Sequence, residues 1–474
     1  VILCRAPGRI NLMGRHVDHR GGHVNVMAIN REVLVAAAPR EDDVVRLRNL
    51  DVTHFPNREF RIFDMLSEED WPDWLEFLET RTVREVLERA PGDWSHYVRA
   101  PMLRLQHERT GTRLKGMDCM VNGNVPMGAG LSSSSALVVA FAQATIALNG
   151  LDVAMHDFVD LCGEGEWFVG SRGGSADHAA IRAGKLGHVL RIGFFPFQLA
   201  GEVALPPDLR LVVAHSGSSA RKSGNARDVF NHRVACYEFA QMLLRRRWPA
   251  AAGIEHLRDL DPDKLQVNVA DLYRALTLLP ENPSRLELQA LMAESERERT
   301  EQLFATHADI GPYDLRGVAL FGISECIRSQ TFAKVVAEGG LGDIGRMMRA
   351  SHDGDRVVRF DASGKSRPHV ACLDDERLHQ LAQAAAELGE QTGRYACSTE
   401  AVDHLVDLAN GTEGVVGAQL AGAGMGGCMM ILVQADALEQ VVLHLEQAFY
   451  TPREIKPEIH VCTPVAGAGL FVGE

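Results

Sequence analysis

Residues 122–136 constrain the fold of this chain more than any other stretch. They include Gly123, Gly128, Gly130 and four consecutive serines, and the uncharged run 136–148 that follows has the length of a buried helix. Glycines allow the backbone to turn its amides toward one point, and a helix start adds unpaired N–H groups and the positive end of a dipole. The stretch therefore predicts a phosphate-binding turn in front of a core helix.

The serines at 132–135 carry hydroxyls that could contact phosphate oxygens or a magnesium ion. The stretch is not a Walker A loop, because no Gly-Lys-Ser or Gly-Lys-Thr triplet follows the glycines. A purely structural interpretation stays open at this point, namely a glycine-rich turn capped by serine before a buried helix.

Composition narrows the class of protein. A chain of 474 residues can form two or more domains, and 46% apolar and 24% charged residues are ordinary for a globular protein. A net charge of −14 argues against general affinity for nucleic acid or for an anionic membrane. We therefore expect neither as a partner, and an anionic substrate would need local positive groups.

The nine cysteines are scattered without a C-x-x-C pair, which predicts reduced thiols in a cytoplasmic protein. No signal peptide is visible, although the chain begins at Val1 and could be trimmed. The run 415–433 is uncharged, but its glycines favour strand, turn and strand over a membrane helix.

Hydrophobic patterning predicts a mixture of strands and helices. We expect strands at 1–7, 24–29, 31–38, 43–47, 114–121, 187–192, 209–214, 415–420 and 428–433, helices at 94–106, 136–148, 156–169 and 375–389 and within 229–301 and 315–353, a loop at 360–367, and a surface loop or short helix at 68–74. A Pro-Pro pair at 206–207 predicts a boundary between domains at 1–206 and 207–474.

Two further segments combine glycine with charge. Residues 6–22 contain several arginines and histidines and an aspartate among four glycines, which is typical of a functional surface loop. His16 and His19 could ligate a metal ion, but no further ligands with zinc-like spacing accompany them. Asp177 ends a second glycine turn, at 170–180, where by itself it would be interpreted as a helix cap.

Taken together, these segments resemble the GHMP kinases, and within them the galactokinase and sugar-1-kinase branch. Residues 8–22 resemble the sugar-binding signature of that branch, residues 126–134 its ATP loop and residues 422–427 its third motif. Shorter matches occur at 174–177, 350–352 and 396–400, so the resemblance spans nearly the whole chain.

The resemblance implies an α/β (α+β) fold of two domains, the first like ribosomal protein S5 domain 2 and the second ferredoxin-like, with the active cleft between them. The mixed strand and helix pattern agrees with it. It also implies that ATP and Mg²⁺ are used to phosphorylate the anomeric hydroxyl of a monosaccharide, which gives a sugar 1-phosphate.

The resemblance also assigns roles to residues. It implies that Asp177 accepts the proton of the anomeric hydroxyl and that Arg9 pairs with Asp177, while Ser134 and Glu166 hold magnesium, with Glu164 as a competitor for Glu166. The sugar would be held by His16, Asp18 and the backbone of Gly174. The nucleotide loop would comprise Pro126, Gly128, Ala129, Gly130, Leu131, Ser132, Ser133, Ser134 and Ser135.

Two departures from the branch concern the substrate. Arg15 stands where galactokinases carry a glutamate that meets the sugar's C6 hydroxyl, and Val229-Phe230 stands near the place of a tyrosine. A guanidinium could bind a carboxylate in a bidentate way, so one hypothesis is a uronic acid such as galacturonate or glucuronate, or another sugar that differs at C6. The alternative is that Arg15 pairs with a carboxylate of the protein.

A rival from another class is a sugar and ATP sensor of the same fold that does not turn over. The presence of Arg9, Asp177 and Ser134 disfavours it. Residues 14–18 likewise disfavour a kinase of a non-sugar alcohol such as mevalonate or homoserine. The segments around 50–90 and 355–390 exceed what the family core requires and have no predicted role.

Overall fold

The computed structural model of the chain describes residues 1–66, 73–109, 111–170, 173–218 and 226–472. Most of the predicted loop at 68–74 lies outside these described residues, as do residues 171–172 of the second glycine turn. None of the described helices has the length and apolar character needed to cross a membrane.

The described chain contains both strands and helices, as the sequence patterning predicts. The strands are Ile2–Met13 (β1), Val24–Pro39 (β2), Val44–Asn49 (β3), Arg58–Arg61 (β4), Met117–Gly123 (β5), His188–Gly193 (β6), Gln198–Ala204 (β7), Leu209–His215 (β8), Val358–Phe360 (β9), Ser366–Pro368 (β10), Val415–Leu420 (β11), Cys428–Gln434 (β12), Ile459–Cys462 (β13) and Gly469–Val472 (β14).

The helices include two long ones in the second half of the chain. They are Trp74–Leu78 (α1), Arg81–Arg89 (α2), Ser95–Glu108 (α3), Ser133–Leu148 (α4), Met155–Glu166 (α5), Ala176–Ala183 (α6), Ala226–Arg247 (α7), Pro262–Leu265 (α8), Val269–Leu276 (α9), Arg285–Leu291 (α10), Arg297–Ala305 (α11), Leu315–Ala337 (α12), Leu341–Asp355 (α13), Asp375–Gln383 (α14), Glu400–Asn410 (α15) and Leu438–Leu445 (α16).

The larger sheet has the order β14-β1-β2-β5-β3-β4, and the β6-β7 hairpin joins it beside β2. Strand β1 runs through Met13, so Arg9 lies on a strand and not in the predicted surface turn. Strand β2 is likewise continuous, and the turn predicted at residue 30 is wrong. The register of β1 against β2 shifts between Pro7 and Gly8. This irregularity lies opposite the point in β2 where the sequence predicts a turn.

Helices α3, α4, α5 and α6 pack beside this sheet, and α4 contacts both β1 and β2. Helix α4 carries no charged residue, and side chains such as Phe141 and Val138 are fully buried in the core between the sheet and the helices. The prediction of a core helix behind the serine run is confirmed. Its burial fixes the helix start, and therefore the glycine-rich turn, against the sheet.

The second sheet is antiparallel, with the order β11-β12-β8-β13, and α15 and α16 share a buried cluster with its strands. The chain passes from the first sheet to the second between β7 and β8, and its last strand, β14, returns to pair with β1. We propose that the first domain extends to Pro206 and also includes this returning strand.

A helical layer built from α7, α12 and α13 lies, in chain order, between β8 and β11 of the second sheet. Two predictions for the segment after it need correction. The predicted loop at 360–367 contains a small hairpin formed by β9 and β10, and the helix predicted at 375–389 ends at Gln383. Local propensity overestimated the helix because the alanines at 384–386 have no intrinsic stop signal.

The two glycine clusters of the sequence meet backbone to backbone. A Cβ added to Gly130 would lie 2.5 Å from the Ala421 carbonyl oxygen, and one added to Gly422 would lie 2.7 Å from the Gly130 Cα. Both glycines have positive φ, at +74° and +77°. The turn at 421–427 therefore supports the phosphate-type turn from behind.

We expect Gly422→Ala to destabilise the protein more than Gly364→Ala does. Both glycines have a positive φ, which costs alanine about 1–2 kcal/mol, but only Gly422 has backbone atoms within van der Waals distance of the new methyl group. Overpacking should add roughly 1–3 kcal/mol to the loss at Gly422. Urea unfolding of both variants measures the difference, and equal losses would contradict the proposed close packing.

Candidate active site

Arg9 and Asp177 form a bidentate ion pair between β1 and the first turn of α6. The Arg9 Nε and Nη2 atoms each lie 2.6 Å from an oxygen of Asp177. The third guanidinium nitrogen, Nη1, donates to the Gly130 carbonyl oxygen over 2.7 Å, and the Arg9 amide donates to the Leu131 carbonyl oxygen over 3.2 Å. One arginine therefore fixes the carboxylate and the glycine-rich turn relative to each other.

The Asp177 carboxylate is held in its ionised form. Burial acts to raise its pKa, but the positive charge and hydrogen bonds of Arg9 and a hydrogen bond donated by Ser132 lower the pKa below its ordinary value. About a third of the side chain, 32%, remains exposed. Asp177 is thus a charged acceptor that a ligand can reach.

The glycine-rich turn ends at Ser132, which has φ +58° and precedes the first residue of α4. Ala129 and Leu131 are fully buried, so their side chains anchor the turn in the core. Gly128 and Gly130 have positive φ, which glycine adopts without strain. The side chains turned away from the core are therefore those of the serines, and the helix start behind them suits an anion.

A second group of side chains gathers around Glu166, at the end of α5. Ser135 donates a hydrogen bond of 2.8 Å to Glu166 Oε2, and the nearby Ser134 hydroxyl also lowers the pKa of this carboxylate. The competitor Glu164 is engaged elsewhere, because Arg104 binds it at 2.6 and 2.9 Å. The structure thus brings Ser134 and Glu166 together and leaves Glu164 out.

Glu166 is also ionised, although it is largely buried. Burial acts to raise its pKa, but the neighbouring His178 and the hydroxyls of Ser134 and Ser135 lower the pKa below its ordinary value. His178 Nε2 lies 2.8 Å from Glu166 Oε2. The sequence analysis did not select His178, although its place directly after Asp177 was a usable signal.

Asp18 and Gly174 lie side by side at the cleft. A Cβ on Gly174 would be 2.1 Å from Asp18 Oδ2, so only glycine allows this approach. Burial acts to raise the pKa of Asp18, but a hydrogen bond with His19 lowers the pKa below its ordinary value. Phe230, at the place where the sequence lacks the expected tyrosine, has its ring centroid 6.5 Å from that of His19.

His16 faces away from this pair. Its ring stacks on Tyr395 with centroids 4.1 Å apart, and its Nε2 lies 3.4 Å from Asp355 Oδ1. Its backbone has φ +62°, which turns the chain between Arg15 and Asp18. The structure therefore gives His16 a role in holding the shape of the loop.

Arg15 does not point at an open substrate site. Its Nη2 lies 2.9 Å from Asp355 Oδ2, and its Nη1 donates to the Leu420 carbonyl oxygen over 2.9 Å. The Arg15 side chain is 2% exposed and that of Asp355 is fully buried. The prediction that Arg15 contacts substrate is thus corrected, because the guanidinium is occupied by the protein carboxylate that the alternative interpretation required.

Glu325 completes this buried network and was missed by the sequence analysis. Its Oε1 accepts hydrogen bonds from the amides of Gly14 and Arg15 at 2.8 and 3.1 Å, and its Oε2 lies 2.8 Å from Arg328. Helix α12 therefore holds the backbone of the loop that carries Asp18. No local pattern in the sequence could pair residues 311 positions apart.

A cavity of about 660 Å³ opens beside the serines. Its wall combines apolar and aromatic side chains with a few polar groups, a composition typical of small-molecule sites. The lining includes Phe55, Trp94, Tyr97, Val125, Ser133, Ser134 and Leu137. Residues 54–56, 58, 89 and 90 belong to the segment without a predicted role, and they line this cavity.

Family comparisons match three parts of the chain. The model of the galactokinase galactose-binding signature matches residues 2–39, that of the GHMP kinases N-terminal domain matches residues 96–185, and that of the GHMP kinases C-terminal domain matches residues 370–451. These matches include Arg9 and the residues around the serines and Asp177.

Comparison of the whole chain with known proteins finds galactokinases among its relatives. The chain is 28% identical over 469 residues to the galactokinase of Roseiflexus sp. (strain RS-1) and 29% identical over 471 residues to that of Chloroflexus aurantiacus, covering 99% of this chain and 92% of each relative. The structure superimposes on Lactococcus lactis galactokinase complexed with galactose with a TM-score of 0.68 at 21% identity, covering 99% of this chain and 95% of that one.

These matches lead to one conclusion. The chain resembles the GHMP kinases in three matched segments and is similar to galactokinases over nearly its whole length.

Proposed function

We propose that this protein is a sugar kinase that transfers the γ-phosphoryl group of ATP to the anomeric hydroxyl of a monosaccharide, giving a sugar 1-phosphate. The observation that carries the proposal is the Arg9–Asp177 pair, which Arg9 Nη1 links to the glycine-rich turn through Gly130. It places an ionised acceptor beside a turn suited to phosphate, in a chain that matches the galactose-binding signature of galactokinases.

In this proposal Asp177 receives the hydrogen bond of the anomeric hydroxyl and orients its oxygen toward the phosphoryl group. Phosphoryl transfer depends mainly on positioning and on stabilisation of charge, so a fixed acceptor is sufficient. Arg9 keeps Asp177 ionised and adds positive charge next to the site of transfer. Asp18, held against Gly174, can accept from two neighbouring sugar hydroxyls.

The residues around Glu166 fit a divalent cation, because an ionised carboxylate and a serine hydroxyl converge there. Ser134 and Glu166 would hold Mg²⁺. When bound, it supplies positive charge to the phosphate oxygens of ATP. Ser135 orients the carboxylate by donating to Oε2, and the helix start at Ser133 adds amide donors for phosphate.

The cavity beside Ser133 and Ser134 would hold the base of ATP. It adjoins the turn proposed for the phosphates, and its volume of about 660 Å³ is within the range of small-molecule pockets. Aromatic side chains in its wall provide faces on which a purine can stack.

A neutral hexose such as galactose is the substrate that the site favours. The uronic acid alternative required a free guanidinium at Arg15, which is buried against Asp355. The sensor alternative is also disfavoured, since the acceptor, its arginine and the serine loop are assembled together.

The test of this function is ADP release from Mg·ATP with a panel of free sugars: galactose, N-acetylgalactosamine, arabinose, glucose, glucuronate and galacturonate. We expect strong turnover with a neutral sugar and phosphate on its anomeric oxygen, detected by ³¹P NMR of the product. ATP binding without turnover on any sugar would refute the proposal.

Asp177→Asn should lower kcat by about 10²–10⁴-fold, because the amide cannot accept the proton as a carboxylate does, while ATP binding measured by calorimetry changes little. Asp374→Asn, at the N-cap of α14, is a matched control that should keep full activity. Since the pKa of Asp177 is lowered, its deprotonated form persists as pH falls, and kcat/KM should decline only below the ordinary aspartate range. Near-normal turnover of Asp177→Asn would remove it from the mechanism.

Arg15→Met should cost about 3–5 kcal/mol of folding free energy, because it leaves Asp355 buried without its partner. Adding Asp355→Leu should recover most of this loss, whereas Arg46→Met, at an exposed pair with Glu59, should cost less than about 1 kcal/mol. The measurement is urea unfolding. In parallel, the kcat/KM ratio of galactose to galacturonate should be the same for the single variant and the wild type, and a shift of that ratio would revive the C6 hypothesis.

Tyr97→Ala should raise the KM for ATP about tenfold or more while the KM for the sugar stays within about twofold, because stacking on an aromatic ring contributes about 1–3 kcal/mol per base. Tyr273→Phe, on α9 away from the cavity, serves as the control tyrosine variant. Equal KM values for ATP in Tyr97→Ala and the wild type would place the base elsewhere.

A further inference from the structure

His178 occupies an unusual position in the proposed cation site. Its Nε2 is 2.8 Å from Glu166 Oε2, and the His178 side chain is only 3% exposed. The Ser135 hydroxyl donates to the same carboxylate oxygen at 2.8 Å, and the Ser134 hydroxyl lies near enough to lower the pKa of the carboxylate. A nitrogen donor thus joins the oxygen donors of Glu166 and Ser134 at one point.

The orientation of the ring does not explain this contact as a simple hydrogen bond. Although the distance is short, the ring N–H does not point along the line to the oxygen, and both nitrogens of His178 lack a hydrogen-bond partner among the described residues. Buried polar atoms without partners are rare and call for a ligand or water. The ring is therefore available for a partner that Glu166 itself does not supply.

A shared cation accounts for both the distance and the orientation. Two adjacent ligand atoms of an octahedral ion, each about 2.1 Å from it, lie about 3 Å apart. Each then directs its lone pair at the ion and not at the other ligand. The 2.8 Å separation and the misaligned ring agree with that arrangement.

The number of protein ligands is also consistent with a nucleotide-bound ion. Among the described residues no group of three or more His, Cys, Asp or Glu side chains has the geometry to hold a metal. Glu166 and His178, with the Ser134 hydroxyl, would supply three donors, and phosphate oxygens would complete the shell. Because Mg²⁺ favours oxygen ligands whereas imidazole suits transition metals, the nitrogen changes which ion is preferred.

We propose that His178 is a direct ligand of the nucleotide-bound cation, so that the site prefers a first-row transition-metal ion such as Mn²⁺ or Co²⁺ to Mg²⁺. The inference rests on the proposed function for the place of the cation at Glu166. It goes beyond that function, because it gives the metal a nitrogen ligand and the enzyme a metal preference.

Pulsed EPR of Mn²⁺ bound to the protein with a non-hydrolysable ATP analogue tests this assignment. We expect a nitrogen coupling in the wild type that is lost in His178→Gln and retained in His156→Gln, which changes an exposed histidine at the start of α5. Wild-type protein labelled with ¹⁵N-histidine should show the coupling of that isotope. The affinity for Mn²⁺ should fall at least about tenfold in His178→Gln and that for Mg²⁺ by less.

The assignment is overturned if Mn²⁺ does not bind this complex, if the wild type shows no nitrogen coupling, or if the coupling is unaffected by labelled histidine and so arises from the nucleotide base. The labelling result needs no variant, so misfolding of His178→Gln cannot obscure it. None of these measurements requires turnover. Histidine coupling in a protein that phosphorylates no sugar would leave the metal assignment standing and refute the proposed function.

Discussion

The ion pair of Arg9 and Asp177 is the interaction on which the rest of the site depends. Arg9 is fixed by β1, which pairs with β2 in the larger sheet, Asp177 by the first turn of α6, and the glycine-rich turn by the bond from Arg9 to Gly130. Burying such a pair is costly unless its hydrogen-bonding capacity is used, and here Ser132 and Gly130 use it. The result is a charged acceptor whose position is set by three separate elements.

A second buried network holds residues 14–18, the loop that follows β1 and carries Asp18. The ion pair of Arg15 and Asp355 joins this loop to the end of α13. Glu325 of α12 accepts hydrogen bonds from the amides of Gly14 and Arg15. Burial acts to raise the pKa of Asp355, but His16 and Arg15 lower it to about 2. Asp18 thus projects from a loop whose backbone and charges are bound to the helical layer, which limits how far substrate binding can displace it.

Much of this could be predicted from local sequence. The core helix α4 followed from its uncharged run, and the fold followed from glycine motifs whose order resembles one family. The errors arose where tertiary contacts outweighed local preference. Arg9 was placed in a turn because glycines surround it, yet pairing with β2 extends β1 through it. For Arg15 the sequence leaves both a substrate ligand and a partner of a protein carboxylate open, because Asp355 lies 340 residues away.

The sequence by itself determined the resemblance to one family, the glycine-rich turn before a core helix and the proposed roles of Asp177 and Arg9, since each rests on a motif of residues close together in the chain. Only the tertiary structure decided which charges are free and which are paired. Glu164 is bound by Arg104, Glu166 meets Ser135 and His178, and Arg15 is neutralised by Asp355. Electrostatic partners are chosen by distance in space, and folding brings together residues that no local pattern connects.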